Sequence, residues 1–340
     1  MPMSRRTFTK LGLGSLGGAL SMPAIVAAQA PIAFRVSSSM PADQNAAHFI
    51  WFERFQTALR ERVGDKLKLD FFPNSQLGKE ADIVQQVTIG GVDMMISGSS
   101  IWATQVPEIG MLDLGYLFDG YEQAGKLLDG AVGQAFDKIM LERSGVTILG
   151  WGFHFGARCV YTKAKAVNLA ELKSVKLRVL PARAFIETFT IMGAVPTPIP
   201  FNELYTALQS GVVDGFEHDA ASVLANRLYE VTKFCLETNH LYSPMTAVMG
   251  RRGLAKVPAD LKKGFLEAAK VATEGERKDA ASKGAAATEQ LKQMGIAFTP
   301  FPAVERKQLQ GEMSEKLYAA FAAQYPATKP LFDAVKASLA

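Results

Sequence analysis

Arg178 carries the plainest chemistry in the chain. It sits in VKLRVL at 175 to 180, where Val175, Leu177 and Val179 alternate with Lys176, Arg178 and Leu180. A period of two reads as a strand with one apolar face. Pro181 ends the run, and a helical stretch follows from about Ala182 to Met192. A guanidinium at the C-terminal end of a strand, beside a strand-to-helix turn, lies where open α/β sheets bind ligands. Arginine keeps its charge there, and its planar fork suits a carboxylate held by two hydrogen bonds. A structural ion pair with a nearby Asp or Glu is the alternative, and the strand alone leaves both open.

Other polar residues recur at expected strand ends. Arg158 opens a strand two residues after Gly156, and Glu217, His218 and Asp219 follow a strand read at Val212-Val213. Ser97 to Ser100 follow a strand at Met94, with Gly98 permitting close backbone approach. Ser39 completes this set of candidate contacts. A cleft lined in this way fits a small-molecule binding site better than a catalytic one. No GxSxG, HExxH, Walker or GxGxxG motif supports catalysis or a nucleotide cofactor, so no cofactor is expected. The histidines are His48, His154, His218 and His240, and the cysteines are Cys159 and Cys235. Without a CxxC or a His/Cys cluster, a structural metal is not expected. A disulfide and two buried thiols both remain open for the cysteines.

The positioning elements alternate. Strands are expected at Phe34 to Val36, Leu67 to Phe72 and Met94 to Ser97, with helices at Gln44 to Arg62 and Gly78 to Ile89 between them. That order implies a parallel sheet covered by helices. A second series begins near Val146, with strands at 146 to 151, 158 to 162, 175 to 180 and 195 to 199. Asn202 is placed to cap a helix running to about Ser210. The fold class is therefore α/β, with two lobes and a ligand cleft between them. Lobe I takes 31 to 155 plus about 244 to 283, and lobe II takes 156 to 243 plus about 284 to 340. They join near 153 to 156 and 241 to 246. A helix from Pro258 to Met294 would span roughly 55 Å at about 1.5 Å per residue, enough to run along both. Gly264, Gly275 and Gly284 are places for it to bend.

Residues 1 to 30 read as an export signal rather than fold. Arg5-Arg6, Phe8 and Lys10 precede a Gly/Leu-rich apolar run, and Ala28-Gln29-Ala30 has the form of a cleavage site. The paired arginines mark a twin-arginine signal. The chain has 37 basic and 33 acidic residues, but three of the basic ones lie in this segment. The remainder is close to neutral and carries no basic run, so nucleic acid is not an expected partner. The expected location is the periplasm, and no later stretch is apolar enough to be membrane-embedded.

Longer motifs carry a family resemblance. They are GAR at 156 to 158, LKSVKLRV at 172 to 179 and GAVPTPIPFNELYTALQSGVVDG at 193 to 215. FPNSQLGKE at 72 to 80, VPEIGMLDLGYLF at 106 to 118 and TNH at 238 to 240 extend it over essentially the whole mature chain. The sequence resembles the solute-binding subunits of tripartite ATP-independent periplasmic (TRAP) transporters, the DctP family. The resemblance implies a two-lobed receptor that closes on an organic acid and delivers it to small and large membrane permease subunits. It implies that Arg178 pairs with the ligand carboxylate and that Arg158 supports the same group or a second one. Phe201 would pack on the ligand, Glu80 would contact its polar groups, and His240 would lie near the cleft. The chain departs from the family pattern where GFEHD replaces GQENP, so His218 stands for an asparagine and Asp219 for a proline. Gly115 stands for a proline and Ser174 for a glycine. Glu80, His218 and Asp219 favour a hydroxylated sugar acid. A 2-oxo, hydroxy, aromatic or dicarboxylic acid stays open, as do an exported enzyme and the receptor of an ATP-driven importer.

Overall fold

The computed structural model describes residues 30–338, so the expected export signal lies outside the described residues. The described strands, in chain order, are β1 (Ile32–Ser38), β2 (Leu67–Phe72), β3 (Met94–Gly98), β4 (Val146–Phe153), β5 (Arg158–Thr162) and β6 (Lys176–Val179), then β7 (Val195–Pro198), β8 (Gly215–His218), β9 (Phe234–Leu241), β10 (Pro244–Gly250) and β11 (Ala297–Pro300). They form two sheets, ordered β2-β1-β3-β10-β4 and β11-β9-β5-β8-β6-β7. The chain passes from the first sheet to the second between β4 and β5, and returns between β9 and β10. Those crossings are residues 154–157 and 242–243.

The expectation of a parallel sheet holds for β2-β1-β3 only, since β10 runs antiparallel to both β3 and β4. The return crossing explains this. The chain leaves the first sheet at the end of β4 and re-enters beside that end, with Pro244 paired to Phe153, so β10 runs back against its neighbours. The second sheet is mixed too: β6 is parallel to β7 and β8, while β5 is antiparallel to β8 and β9.

Two local expectations are corrected. Val212 and Val213 are not a strand; Gly215–His218 is, so Glu217 and His218 lie within β8 rather than after it. Asn202 caps nothing, because Phe201–Glu203 form a 3-10 turn after Pro200 and the following helix, Leu204–Gln209, has no side-chain cap. Ser174 takes φ of 69°, the left-handed region that favours the glycine it replaces.

The long helix is Lys262–Gln293, 32 residues, or about 48 Å at about 1.5 Å per residue. It packs on the Ala47–Val63 helix and β4, and on the Ala220–Ala225 helix beside the second sheet. Trp51 Nε1 donates to Thr273 Oγ1 at 2.9 Å, and Arg54 pairs with Asp279 at 2.6 Å. The helix is unbroken at Gly284. A Cβ there would sit 2.8 Å from the backbone N and Cα of Gly156, so this glycine permits a close crossing of the first connecting segment rather than a bend. The core is apolar on both sides of the crossings, with Trp51, Trp102 and Phe155 buried. No helix among the described residues is long and apolar enough to cross a membrane.

Candidate functional site

A cavity opens where strand ends from both sheets meet the crossings. Of the residues singled out in the sequence, Ser39, Glu80, Gly98, Arg158, Phe201 and His218 line it. Ser39 follows β1, Gly98 ends β3, and His218 ends β8. Glu80 begins the Glu80–Ile89 helix. The space between these side chains is about 20 Å³, room for the centre of about one water. At the surface, Lys79 pairs with Glu203 at 2.5 Å, joining the loop before the Glu80 helix to the turn after β7.

Arg178 lies in the wall behind Phe201, with its guanidinium 5.6 Å from that ring's centroid. It is 0% exposed. Its Nε donates to the Ile199 carbonyl at 2.8 Å. Nη1 and Nη2 are buried with no hydrogen-bond partner. Burial pushes its pKa down to about 10, against the pull of Glu217 and Glu80. Buried charges are normally paired, and the fold itself offers these two nitrogens no acceptor.

Arg158 differs. Its Nε and Nη2 donate to Glu217 Oε2 and Oε1 at 2.6 and 2.7 Å. This is the ion pair that the sequence left as an alternative for arginine. Nη1 takes no part in those bonds, and the residue still lines the cavity. Burial alone would raise the Glu217 carboxyl, but the charge and hydrogen bonds of Arg158 outweigh it and hold Glu217 at about 2. His240 Nε2 lies 3.3 Å from Glu217 Oε2 and its Nδ1 2.9 Å from Thr238 Oγ1. Burial lowers the His240 pKa, and Glu217 only partly offsets it. Arg178, Glu217, Asp219 and His240 thus support the cavity from behind and do not line it.

Glu80 accepts from Ser39 Oγ at 2.9 Å. Burial raises its pKa, with Ser39, Arg178 and Arg158 pulling the other way. Asp219 caps the Ala220–Ala225 helix, its Oδ1 accepting from the Ser222 N–H at 2.9 Å. Its Oδ2 lies 2.7 Å from His218 Nδ1. Among the described residues no cluster of His, Cys, Asp or Glu is arranged to hold a metal ion. Both cysteines are free and buried.

The sequence reading missed several contributors. His48, His154 and Ser243 line the cavity, beside Ser100 from the expected Ser97 to Ser100 run. Asp113 accepts the hydroxyls of Ser99 and Ser243 at 2.6 and 2.9 Å, and burial pushes its pKa up to about 7. His48 sits in an amphipathic helix and His154 in a crossing; no local pattern distinguishes either residue from a core histidine.

Comparison with known proteins gives a consistent result. Residues 38–324 match the family described as bacterial extracellular solute-binding protein, family 7. The 2,3-diketo-L-gulonate-binding periplasmic protein YiaO of Escherichia coli is 29% identical over 292 residues, covering 86% of this chain and 88% of that protein. The structure of a TRAP periplasmic solute binding protein from Polaromonas, bound to D-erythronate, is 27% identical with a TM-score of 0.83, covering 90% of this chain and 98% of that one. Another, from Sulfitobacter with bound alpha-D-taluronate, is 27% identical with a TM-score of 0.83, covering 90% and 97%.

Proposed function

The chain belongs to bacterial extracellular solute-binding protein family 7, and from that membership we propose that it is the receptor of a TRAP transporter that captures a small hydroxylated monocarboxylic acid. The family and the fold are those of transport-binding proteins rather than enzymes. Arg178 is the observation that carries the acid: a buried guanidinium with Nε tied to the backbone and both terminal nitrogens free. A carboxylate supplies two acceptors in the matching plane. The relatives named above bind 2,3-diketo-L-gulonate, D-erythronate and alpha-D-taluronate, each a carboxylate carrying hydroxyl groups. Ser39, Glu80, Ser100 and His218 at the cavity supply polar partners for such groups.

The pairing of Arg158 with Glu217 argues against a dicarboxylate, since most of that second fork is already committed. The small cavity argues for capture by closure. The lobes open to admit the acid and expose Arg178, which the closed cavity leaves behind Phe201, and the acid then bridges residues from both sheets and stabilises the closed form. Export through residues 1 to 30 by the twin-arginine route, residence in the periplasm and delivery to membrane permease subunits complete the reading. Lobe boundaries at the two crossings, and near 283 in the long helix that leads to β11 of the second sheet, belong to it as well.

A thermal-shift screen tests it. The panel holds aldonates, uronates, 2-oxo acids, aromatic acids and dicarboxylates, each against purified protein. A ligand at 100 times its Kd stabilises the folded state by about 2.7 kcal/mol, a shift such a screen resolves. Aldonates or uronates should raise the unfolding temperature most. A response confined to dicarboxylates, or no response to any acid, overturns the proposal.

A further inference from the structure

Three imidazoles stand in a row along the cavity. His48 is the second residue of the Ala47–Val63 helix, His154 lies in the first crossing, and His218 ends β8. The ring centroids of His48 and His154 are 5.3 Å apart, and those of His154 and His218 are 5.9 Å apart. Phe201 continues the row, 5.5 Å from His218. All three histidines are nearly fully buried and all three line the cavity.

Each ring is turned the same way. His48 Nδ1 lies 2.9 Å from Ser38 Oγ. His218 Nδ1 lies 2.7 Å from Asp219 Oδ2, and His154 Nδ1 faces the same oxygen at 3.7 Å. The Asp219 N–H also approaches His218 Nδ1, at 3.0 Å. The carboxylate contact is shorter and charge-assisted, which assigns the ring proton to Nδ1 and a lone pair to Nε2. Nε2 is therefore the edge each ring keeps free of these bonds. For His48 it is buried with no partner at all. His154 Nε2 faces Gly98, where a Cβ would come within 3.5 Å of it. The glycine keeps that space open.

Burial holds the row uncharged. It pushes His48 down to about 3 and His154 and His218 well below their ordinary value. The charge of Arg158 depresses His154 and His218 further. An uncharged imidazole edge offers one donor or one acceptor and no attraction for a second anion, which is the requirement for a hydroxyl partner. A buried, partnerless nitrogen on a ligand cavity calls for such a partner.

We propose that the Nε2 atoms of His48, His154 and His218 read the hydroxyl groups of the bound acid, so that this row selects hydroxylated acids over plain carboxylates of the same length. The inference rests on the receptor reading above. Calorimetry tests it with D-erythronate and D-gluconate against butanoate and hexanoate, using wild type, His48→Phe, His154→Phe and His48→Gln. Wild type should favour the hydroxylated member of a pair. Each phenylalanine variant should lose about fivefold in affinity for that member per hydrogen bond removed, with no loss for the plain acid. Glutamine restores a polar tip and should recover part of the loss, which separates a lost contact from a damaged fold. Equal wild-type affinity within each pair, an equal loss for both members, or no recovery with glutamine overturns the inference and leaves the receptor standing. Failure of all four acids to bind overturns the inference together with the reading of a hydroxylated acid beneath it.

Discussion

Replacing Arg178 with methionine separates a ligand anchor from a structural arginine, because the two roles move binding and stability in opposite ways. Methionine keeps much of the buried volume and removes the charge. A carboxylate on Nη1 and Nη2 would make two charge-assisted hydrogen bonds, each about 1.5–3 kcal/mol net, so losing both costs about 3–6 kcal/mol. That corresponds to roughly two to four orders of magnitude in Kd. The ligand-free protein responds otherwise. In the closed arrangement both terminal nitrogens are buried without partners, a cost of about 1–3 kcal/mol each that the variant removes. Against this stands the loss of one bond to the Ile199 carbonyl, at 2.8 Å, with a net worth of about 1 kcal/mol. In an open form, water satisfies the guanidinium and that gain disappears. Ligand-free stability should therefore rise if the closed form dominates and fall by no more than about 1 kcal/mol if the open form does. The assays are calorimetry with the tightest acid from the screen, and urea unfolding without ligand. Binding within tenfold of wild type, or a ligand-free loss above about 2 kcal/mol, would refute the assignment.

The second arginine should behave in the opposite sense. Glu217→Ala strands Arg158, which is 1% exposed, and should lower stability by about 3–5 kcal/mol in urea unfolding; a loss under about 1 kcal/mol would show that water reaches the pair. The histidines predict a pH response. His48 has a folded pKa of about 3 against about 6.5 unfolded, so its contribution is present above about pH 6.5 and is lost as pH falls, when the unfolded chain takes up the proton. His154, His218 and His240 are lowered likewise, whereas Asp113, raised to about 7, holds a proton that the unfolded chain releases and opposes them between about pH 4 and 7. His48→Phe should flatten the acid-side fall in stability between pH 6.5 and 5 by up to about 1.4 kcal/mol per pH unit, and an unchanged slope counts against a buried neutral ring. Along the long helix, Gly284→Ala meets fixed backbone at 2.8 Å, and overpacking of about 1–3 kcal/mol outweighs the helix-propensity gain of about 1 kcal/mol. Gly275→Ala meets the movable end of a half-exposed Arg54 side chain, so it should be neutral or stabilising. Equal urea midpoints for the two variants would refute the distinction.

What could be read from the sequence follows from how local each signal is. The 158–162 strand and the strand of Arg178 stand out because apolar residues alternate or run together over a few positions. The long helix stands out because Ala and charged residues continue without a later proline. β8 was misplaced for the converse reason. Gly215–His218 buries Glu217 and His218, so its hydrophobic pattern is erased where the site is built, while the conspicuous Val212 is 54% exposed. Functional residues break the pattern used to find the elements that carry them. His48 and His154 were not readable as site residues for another reason. Their rings meet only because the chain crosses between sheets beside the helix that carries His48.

Sheet order also decides what two similar arginines do. β8 lies between β5 and β6, so its Glu217 has Arg158 on one side and Arg178 on the other. The carboxylate turns to Arg158 and holds it with two bonds, at 2.6 and 2.7 Å. One carboxylate cannot satisfy two forks in that way. The choice leaves Arg178 with its charge and its two free nitrogens. Had Glu217 turned the other way, Arg158 would be the orphan and the anchor would sit on the other side of β8. A ligand with one carboxylate completes the set by meeting Arg178 alone. A second carboxylate would have to compete with Glu217, a group held ionised at about 2. The proposed preference for a monocarboxylate thus rests on a residue that does not line the cavity, and neither arginine's sequence motif contains it.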